Sequence, residues 1–236
     1  KSITILLALM FVFPGCLDEE TDSLDNSDDS KINESGNDPL NETVNQTEEV
    51  REPELIEVPY EEGCDNINPL HCMFPFPSNA FLSEDPTTVT GYRVNYTKTS
   101  VPGSGTFRQV EIPGLNRLDG MSPSTQILTA FDEDPLLTGV ANQSTIEKSL
   151  IAAHATILVN LDTGERLPHW VELDFRTDNK GPTILYIRTI RGLDHNTAYG
   201  VGISGLTNST GDLISPSLAF KALIEGDYTD APDVEL

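Results

Sequence analysis

The chain has 236 residues, 38 of them acidic and 14 basic, for a formal charge of −24 and a hydrophobic fraction of 37%. That length suits one domain of ordinary size with tails, and carries enough apolar chain for a real core. The charge excludes a dedicated nucleic-acid binder, which needs a positive surface to displace counterions from phosphates, and disfavours anionic membrane surfaces.

Lys1-Ser2 leads into an apolar run from Ile3 to Phe13, followed by Pro14-Gly15-Cys16. A basic start, an apolar stretch and a small residue before a cleavage point make an export signal. The run is too short for a spanning helix, which needs roughly 20 apolar residues. Cys16 after Gly15 resembles the lipobox of secreted lipoproteins, where the cysteine becomes the lipidated N-terminus; Phe13 stands where that motif prefers Leu. The bland alternative is a plain signal peptide with an incidental cysteine. The opening Lys1, in place of Met, reads as a clipped or partial start.

Residues 17–62 carry 17 Asp and Glu against Lys31 and Arg51, a net of −15, and only one aromatic, Tyr60. Such composition cannot bury enough apolar surface to offset the entropy of ordering, so a disordered acidic tether is expected. Like charges keep it extended. The sharper reading, a calcium-attracting tract, lacks spaced ligands with a glycine turn. Asn-x-Ser/Thr sequons stand at Asn33, Asn41 and Asn45 in this stretch, and at Asn95, Asn142 and Asn208 beyond it. An exported chain makes their glycosylation an option.

With Cys16 assigned to an anchor, Cys64 and Cys72 remain, and in an exported chain a disulfide is the default for such a pair. The rival is a metal site from Cys64, His71 and Cys72, which lacks a fourth ligand and a recurrent zinc spacing. No metal or cofactor is expected.

From Gly63 the chain is rich in turn formers, and the expected domain spans 63–236, irregular over 63–125 and with its main strands over 126–226. Candidate strands are Gln126–Phe131, Thr156–Leu161, His169–Phe175, Thr183–Thr189, Ala198–Ser204 and Leu218–Leu223. Asp162-Thr163-Gly164 and Asp178-Asn179-Lys180-Gly181 read as hairpin turns with glycine at a positive φ. The alternation of Thr183–Thr189 suggests a central strand covered on both faces. One short helix is expected over Ser144–His154, with Ser144 as N-cap and Glu147 in the capping-box position. The spacing implies an all-β sandwich or barrel.

Two resemblances bear on this. Leu193-Asp-His-Asn-Thr-Ala-Tyr199-Gly-Val-Gly-Ile203, then Leu206 to Gly211 and a segment containing Phe220, resembles the closing hairpin and final strand of bacterial Ig-like modules. Pro75-Phe76-Pro77-Ser78-Asn79-Ala80-Phe81, Asn116-Arg117-Leu118-Asp119-Gly120-Met121-Ser122-Pro123 and Gly164-Glu-Arg-Leu-Pro168-His169-Trp170 are similar to the N-terminal region of the bacterial virulence-factor lipase family. The implication is an Ig-like β-sandwich acting as an accessory domain, with any α/β-hydrolase domain lying beyond Leu236.

No Gly-x-Ser-x-Gly elbow occurs, and neither Gly103-Ser104-Gly105 nor Gly202-Ile203-Ser204-Gly205 has its spacing. No catalytic residue is therefore assigned, and whether the chain belongs to an enzyme stays open. His169 with Trp170, Glu172 and Asp174 is the most tempting polar group, but strand alternation makes His169 a hydrogen-bonded strand residue rather than a base. Arg117 with Asp119 reads as a loop-fixing ion pair or a ligand contact. Asp132-Glu133-Asp134 reads as a solvated turn or a calcium attractor. Two functions follow as expectations. One is a cell-envelope, extracytoplasmic lipoprotein, held to the membrane through its lipid, with a non-catalytic positioning or binding domain. The other is the accessory part of an exported lipase or esterase.

Overall fold

In the computed structural model the described residues are 4–5, 52–101, 110–175 and 181–231. Their elements in chain order are β1 (Thr4–Ile5), β2 (Leu55–Ile56), β3 (Leu82–Glu84), β4 (Tyr92–Val94), α1 (Ile112–Leu115), β5 (Ile127–Phe131), β6 (Thr156–Asn160), β7 (His169–Leu173), β8 (Thr183–Thr189), β9 (Ala198–Ile203), α2 (Leu218–Glu225) and β10 (Tyr228–Thr229). Strands dominate, so the all-β class holds. Among the described residues no helix is long and apolar enough to cross a membrane.

Two three-stranded sheets form the body. One runs β5-β8-β7, antiparallel throughout, with Ile127 opposite Ile187 and Leu173 opposite Leu185. The other runs β1-β9-β6, in which β6 and β9 are antiparallel from Thr156–Ile203 to Asn160–Tyr199. Alternation sends Ile127, Val171, Leu185 and Ile187 of the first sheet into the same buried cluster as Leu158, Tyr199, Val201 and Ile203 of the second. Each such side chain contributes roughly 1.5–3 kcal/mol on burial, which makes this cluster the main source of stability.

The turn at Asp162-Thr163-Gly164 forms as expected. Gly164 has φ 73°, a conformation costly for any residue with a Cβ, and Asn160 Oδ1 accepts the N–H groups of Asp162 and Thr163. Leu167 N then bonds Leu158 O before the chain crosses to the other sheet as β7. Of the second expected turn, residues 178–180 lie outside the described residues, and Gly181 has φ 92°.

Four expectations need correction. The segment expected to close the domain as a strand, Leu218–Leu223, is the helix α2. Ser217 Oγ accepts from Phe220 N, Gly226 ends the helix at φ 73°, and Ala219, Phe220 and Ala222 share the buried side, a 3.6-residue pattern. Residues 144–154 contain only a 3₁₀ turn, Ile146–Leu150, with Thr145 ahead of it and no side-chain cap. There Asn142 Oδ1 accepts from Ser144 N, and Thr145 Oγ1 accepts from Asn142 N, local bonds that compete with helix initiation. The tether cannot extend to residue 62, because β2 pairs with β10 and Val58 is buried against Ala219 and Ala231. Asp227 Oδ1 and Asp230 Oδ1 accept from Glu54 N and Val58 N and fix that entry. Finally, β8 is central, but only Leu185 and Ile187 are fully buried; its other face, with Ile184, Tyr186 and Arg188, is half-exposed.

Cys64 and Cys72 form a disulfide, which removes the metal reading of Cys64, His71 and Cys72. Opening it by Cys64→Ser with Cys72→Ser should lower the unfolding free energy by about 2–3 kcal/mol, the chain-entropy expectation for so short a loop. Urea midpoints of the two forms without reductant measure this.

Candidate functional site

His169 opens β7 with its side chain on the inward face, fully buried, while Trp170 and Glu172 take the outward face. Alternation therefore separates the residues that look like one constellation in sequence. On the outward face Glu172 accepts from Trp170 Nε1 at 3.1 Å, Gln143 Nε2 at 3.1 Å and Arg188 Nε at 2.5 Å. The Arg188 guanidinium also lies 4.9 Å from the centre of the Tyr186 ring. This is a fixed, half-exposed polar face rather than a reactive pair.

On the inward side His169 joins a chain of hydrogen bonds through Thr156 to His154. The carbonyl of Leu167 lies 2.9 Å from His169 Nδ1, so Nδ1 carries the proton. His169 Nε2 is then an acceptor and takes the hydroxyl proton of Thr156 at 2.8 Å. His154 Nε2 accepts from Ala141 N at 2.9 Å, and its Nδ1 lies 3.1 Å from Thr156 N, 2.9 Å from Thr156 O and 3.1 Å from Thr156 Oγ1. The two rings meet edge-on with centroids 6.0 Å apart. Burial pulls His169 down to about 4; the Leu167 carbonyl opposes this weakly, and the nearby His154 and Arg166 charges add to it. Both nitrogens of His169 are spent on structural bonds and neither reaches a surface. The ring is placed to hold two sheets together, not to take a proton from a substrate.

The remaining candidate residues are positioned as fasteners. Arg117 O accepts from Arg93 Nη1, and Asp119 O accepts from Thr90 Oγ1, so the loop's carbonyls fix it. Arg93 itself pairs with Asp85 at 2.6 Å. Glu133 accepts from Asn208 Nδ2 at 2.6 Å and Asp134 accepts from Thr183 Oγ1, which pins the acidic turn. Among the described residues no cluster of His, Cys, Asp and Glu could hold a metal. Of the sequons, Asn95 and Asn142 are exposed, whereas the Asn208 side chain binds Glu133, Thr210 and Asp212. Cys16, Asn33, Asn41 and Asn45 lie outside the described residues.

Composition gave no sign of a sizeable concavity among the described residues, a cleft of about 230 Å³. It lies where the ends of β5 and β9 face the 59–75 segment and the start of α2, and its walls include Ile67, Leu70, Phe131, Leu206, Ile214 and Leu218. It exceeds the ~150 Å³ apolar cavity that accommodates benzene in an engineered core, so it has room for a small apolar group. Asn116, also missed, clamps Tyr96 through paired amide bonds at 2.9 Å.

Comparison with known proteins returns no matching family model, no matching curated protein and no matching solved structure.

The His169 environment dictates a pH dependence. A folded value near 4 against about 6.5 in the unfolded chain means that, between those limits, the unfolded state binds a proton the native state refuses. This contribution is complete above pH 6.5, declines as pH falls through the window and levels off below pH 4. The loss comes to about 3 kcal/mol. Urea unfolding of wild type and His169→Gln from pH 7 to 4 should show the wild type losing that much more stability than the variant.

Proposed function

We propose that the chain is a cell-envelope lipoprotein, anchored through Cys16, whose folded part is a non-catalytic Ig-like domain for positioning or binding. The observation that carries this reading is the Cys64–Cys72 disulfide downstream of an export-type leader, a bond that persists in oxidising, extracytoplasmic compartments. The Ig-like part draws support from Tyr199, the second residue of β9, whose hydroxyl accepts from Asp194 N at 2.9 Å, five residues upstream. Ig-like sandwiches carry a tyrosine with that kind of backward bond at a strand corner. The apolar cleft supplies a concave surface suited to a small apolar group. Cleavage before Cys16 would also remove β1 and its two-residue pairing with β9.

A second reading, the accessory N-terminal part of an exported lipase or esterase, is favoured by where the motifs that resemble that family fall. Phe76 pairs with Leu128 at the edge of β5, Ser78 donates to Asp65, Asn116 clamps Tyr96, and Pro123 O accepts from Leu193 N. These contacts fix loops to one another and, at Phe76, to β5, as residues of a shared accessory framework would. A gene continuing past Leu236 into a strand, Gly-x-Ser-x-Gly and a helix would support it, and a stop codon there would exclude it.

Expressed with its leader in a bacterial host, the wild-type chain should partition into Triton X-114 and incorporate an alkyne-tagged fatty acid. Cys16→Ser should stay in the aqueous phase without label. An unlabelled, aqueous wild-type chain overturns the anchor.

A further inference from the structure

The outer strands of a sheet carry backbone groups open to further pairing, and the two main sheets together have four such sides. Three of them are covered among the described residues. On β7, His169 N donates to Ser149 Oγ at 3.1 Å and Val171 N to Ala141 O at 2.9 Å. On β6, Leu167 N bonds Leu158 O and Asn160 N bonds Glu165 O as the chain turns back along the strand. On β5, Phe76 and Leu128 exchange N–H···O bonds of 2.8 and 2.7 Å, and Asn68 Nδ2 donates to Ala130 O.

The fourth side, along β9, is different. β1 pairs with it in parallel over two residues, Thr4 opposite Ala198 and Ile5 opposite Tyr199. Ser204 N donates to Ala155 O and Leu161 N to Ala198 O, so the even-numbered residues of β9 face β6. Tyr199, Val201 and Ile203 therefore turn their N–H and C=O groups away from β6. Beyond Tyr199 no described residue pairs with them. β9, Ala-Tyr-Gly-Val-Gly-Ile, has neither the charge nor the proline that commonly closes an edge. The side chains of Tyr199, Val201 and Ile203 enter the core, and Gly200 and Gly202 leave the other face flat. A strand parallel to β9, as β1 is, runs past Ile203 toward Ser204, Gly205 and Leu206, which are walls of the 230 Å³ cleft. There Phe131, Ile214 and Leu218 offer apolar surface, and Asp132 presents an exposed carboxylate on the same wall.

We propose that the open edge of β9 and the adjoining cleft form one acceptor groove for an extended peptide segment of a partner protein, added parallel to β9. The segment is apolar and β-branched along the edge, with a large apolar residue for the cleft and a lysine or arginine after it.

Main-chain bonds to Val201 and Ile203 hold such a strand, while the cleft and Asp132 select its sequence. Place and direction come from β1, a piece of this chain's own apolar run seated on the first two residues of the same edge. In the mature lipoprotein proposed above, cleavage before Cys16 takes β1 away and frees the whole edge. That step rests on the lipoprotein reading; the capacity of the edge does not. A second copy is the poorer occupant, since each chain brings a charge of −24.

Fluorescence anisotropy of a labelled synthetic peptide, the sequence of residues 2–7 followed by two lysines, titrated with the full chain, tests this. A chain carrying Thr4→Pro and Ile5→Pro, in which β1 no longer pairs, should bind the peptide on the order of tenfold tighter than wild type, because the internal strand no longer competes. The same peptide with proline in place of both isoleucines should not bind, and Asp132→Asn should weaken binding about two- to fivefold. In native-state hydrogen exchange the Val201 and Ile203 amides should gain protection with peptide, while Leu185 stays unchanged. No binding to the double variant, an affinity left unchanged by either set of substitutions, equal binding of the proline peptide, or unchanged Val201 and Ile203 amides each overturn the proposal. A dimer of the double variant with those two amides protected in the absence of peptide also overturns it, since the occupant is then a second copy. Where the double variant does not fold, the two amides of the wild type at saturating peptide decide: added protection supports the groove, and none overturns it. The titration reads the edge whether or not Cys16 is lipidated, so it and the Triton X-114 partition fail independently.

Discussion

One buried hydrogen bond ties the architecture together. Thr156 belongs to β6 in one sheet and His169 to β7 in the other, and their side chains meet at 2.8 Å with both residues fully buried. The two sheets share an apolar cluster, but apolar packing is tolerant of sliding, whereas a single polar contact in a dry interior is not. A displaced Thr156 would leave His169 Nε2 without a donor, a desolvation cost of about 1–3 kcal/mol. The bond therefore fixes how β6 lies over β7, and the tight turn at Gly164 sets the length of chain between them. Tyr199, opposite Asn160 in the same sheet, performs a similar service at the other end through its bond to Asp194.

Around this body the first part of the domain is wrapped rather than folded on its own. β3 and β4 make only a three-residue hairpin, and its small cluster of Phe81, Val94, Tyr96 and Met121 is held by side chains reaching loop backbone. Asn116 on Tyr96, Asn68 on Ala130 O at 2.9 Å and Asp65 on Ile67 N at 3.1 Å stand where ladder bonds would stand in a longer strand. The disulfide closes the most irregular stretch, where chain entropy has least to oppose it. Polar residues that a sequence reader might assign to a ligand are needed here to satisfy backbone groups.

The five longer strands were legible because each is short, alternating and bounded by turn chemistry, and the separation of His169 from Trp170 and Glu172 followed from the same period of two. What escaped detection was decided elsewhere. Leu218–Leu223 has strand-like apolar content, yet Ser217 and Gly226 are a matched start and stop, and attention to those two residues would have recovered α2. The pairing of β2 with β10 joins residues about 170 apart, and no local pattern in an acidic stretch announces it. The cleft is likewise a product of tertiary placement, since its walls come from four separate parts of the chain. The His154–Thr156 contact has no periodic signature either, because it follows a 3₁₀ turn that replaced the expected helix.

The excess of acid acquires a second meaning in this setting. A sequence pI near 4.2 means that the repulsion keeping copies apart fades as pH falls toward the range in which His169 gains charge. Residues 63–236 carry a net of −10 and residues 17–62 a net of −15, so most of the excess charge lies in the first quarter of the chain. At neutral pH this negative charge and a β7 edge whose His169 and Val171 N–H groups bond Ser149 Oγ and Ala141 O both oppose association between chains. In acid the carboxylates neutralise and the edge's hydrogen-bonded cover becomes the remaining protection. The stability of the Ala141–Val171 and Ser149–His169 bonds thus matters most where the charge that backs them is weakest.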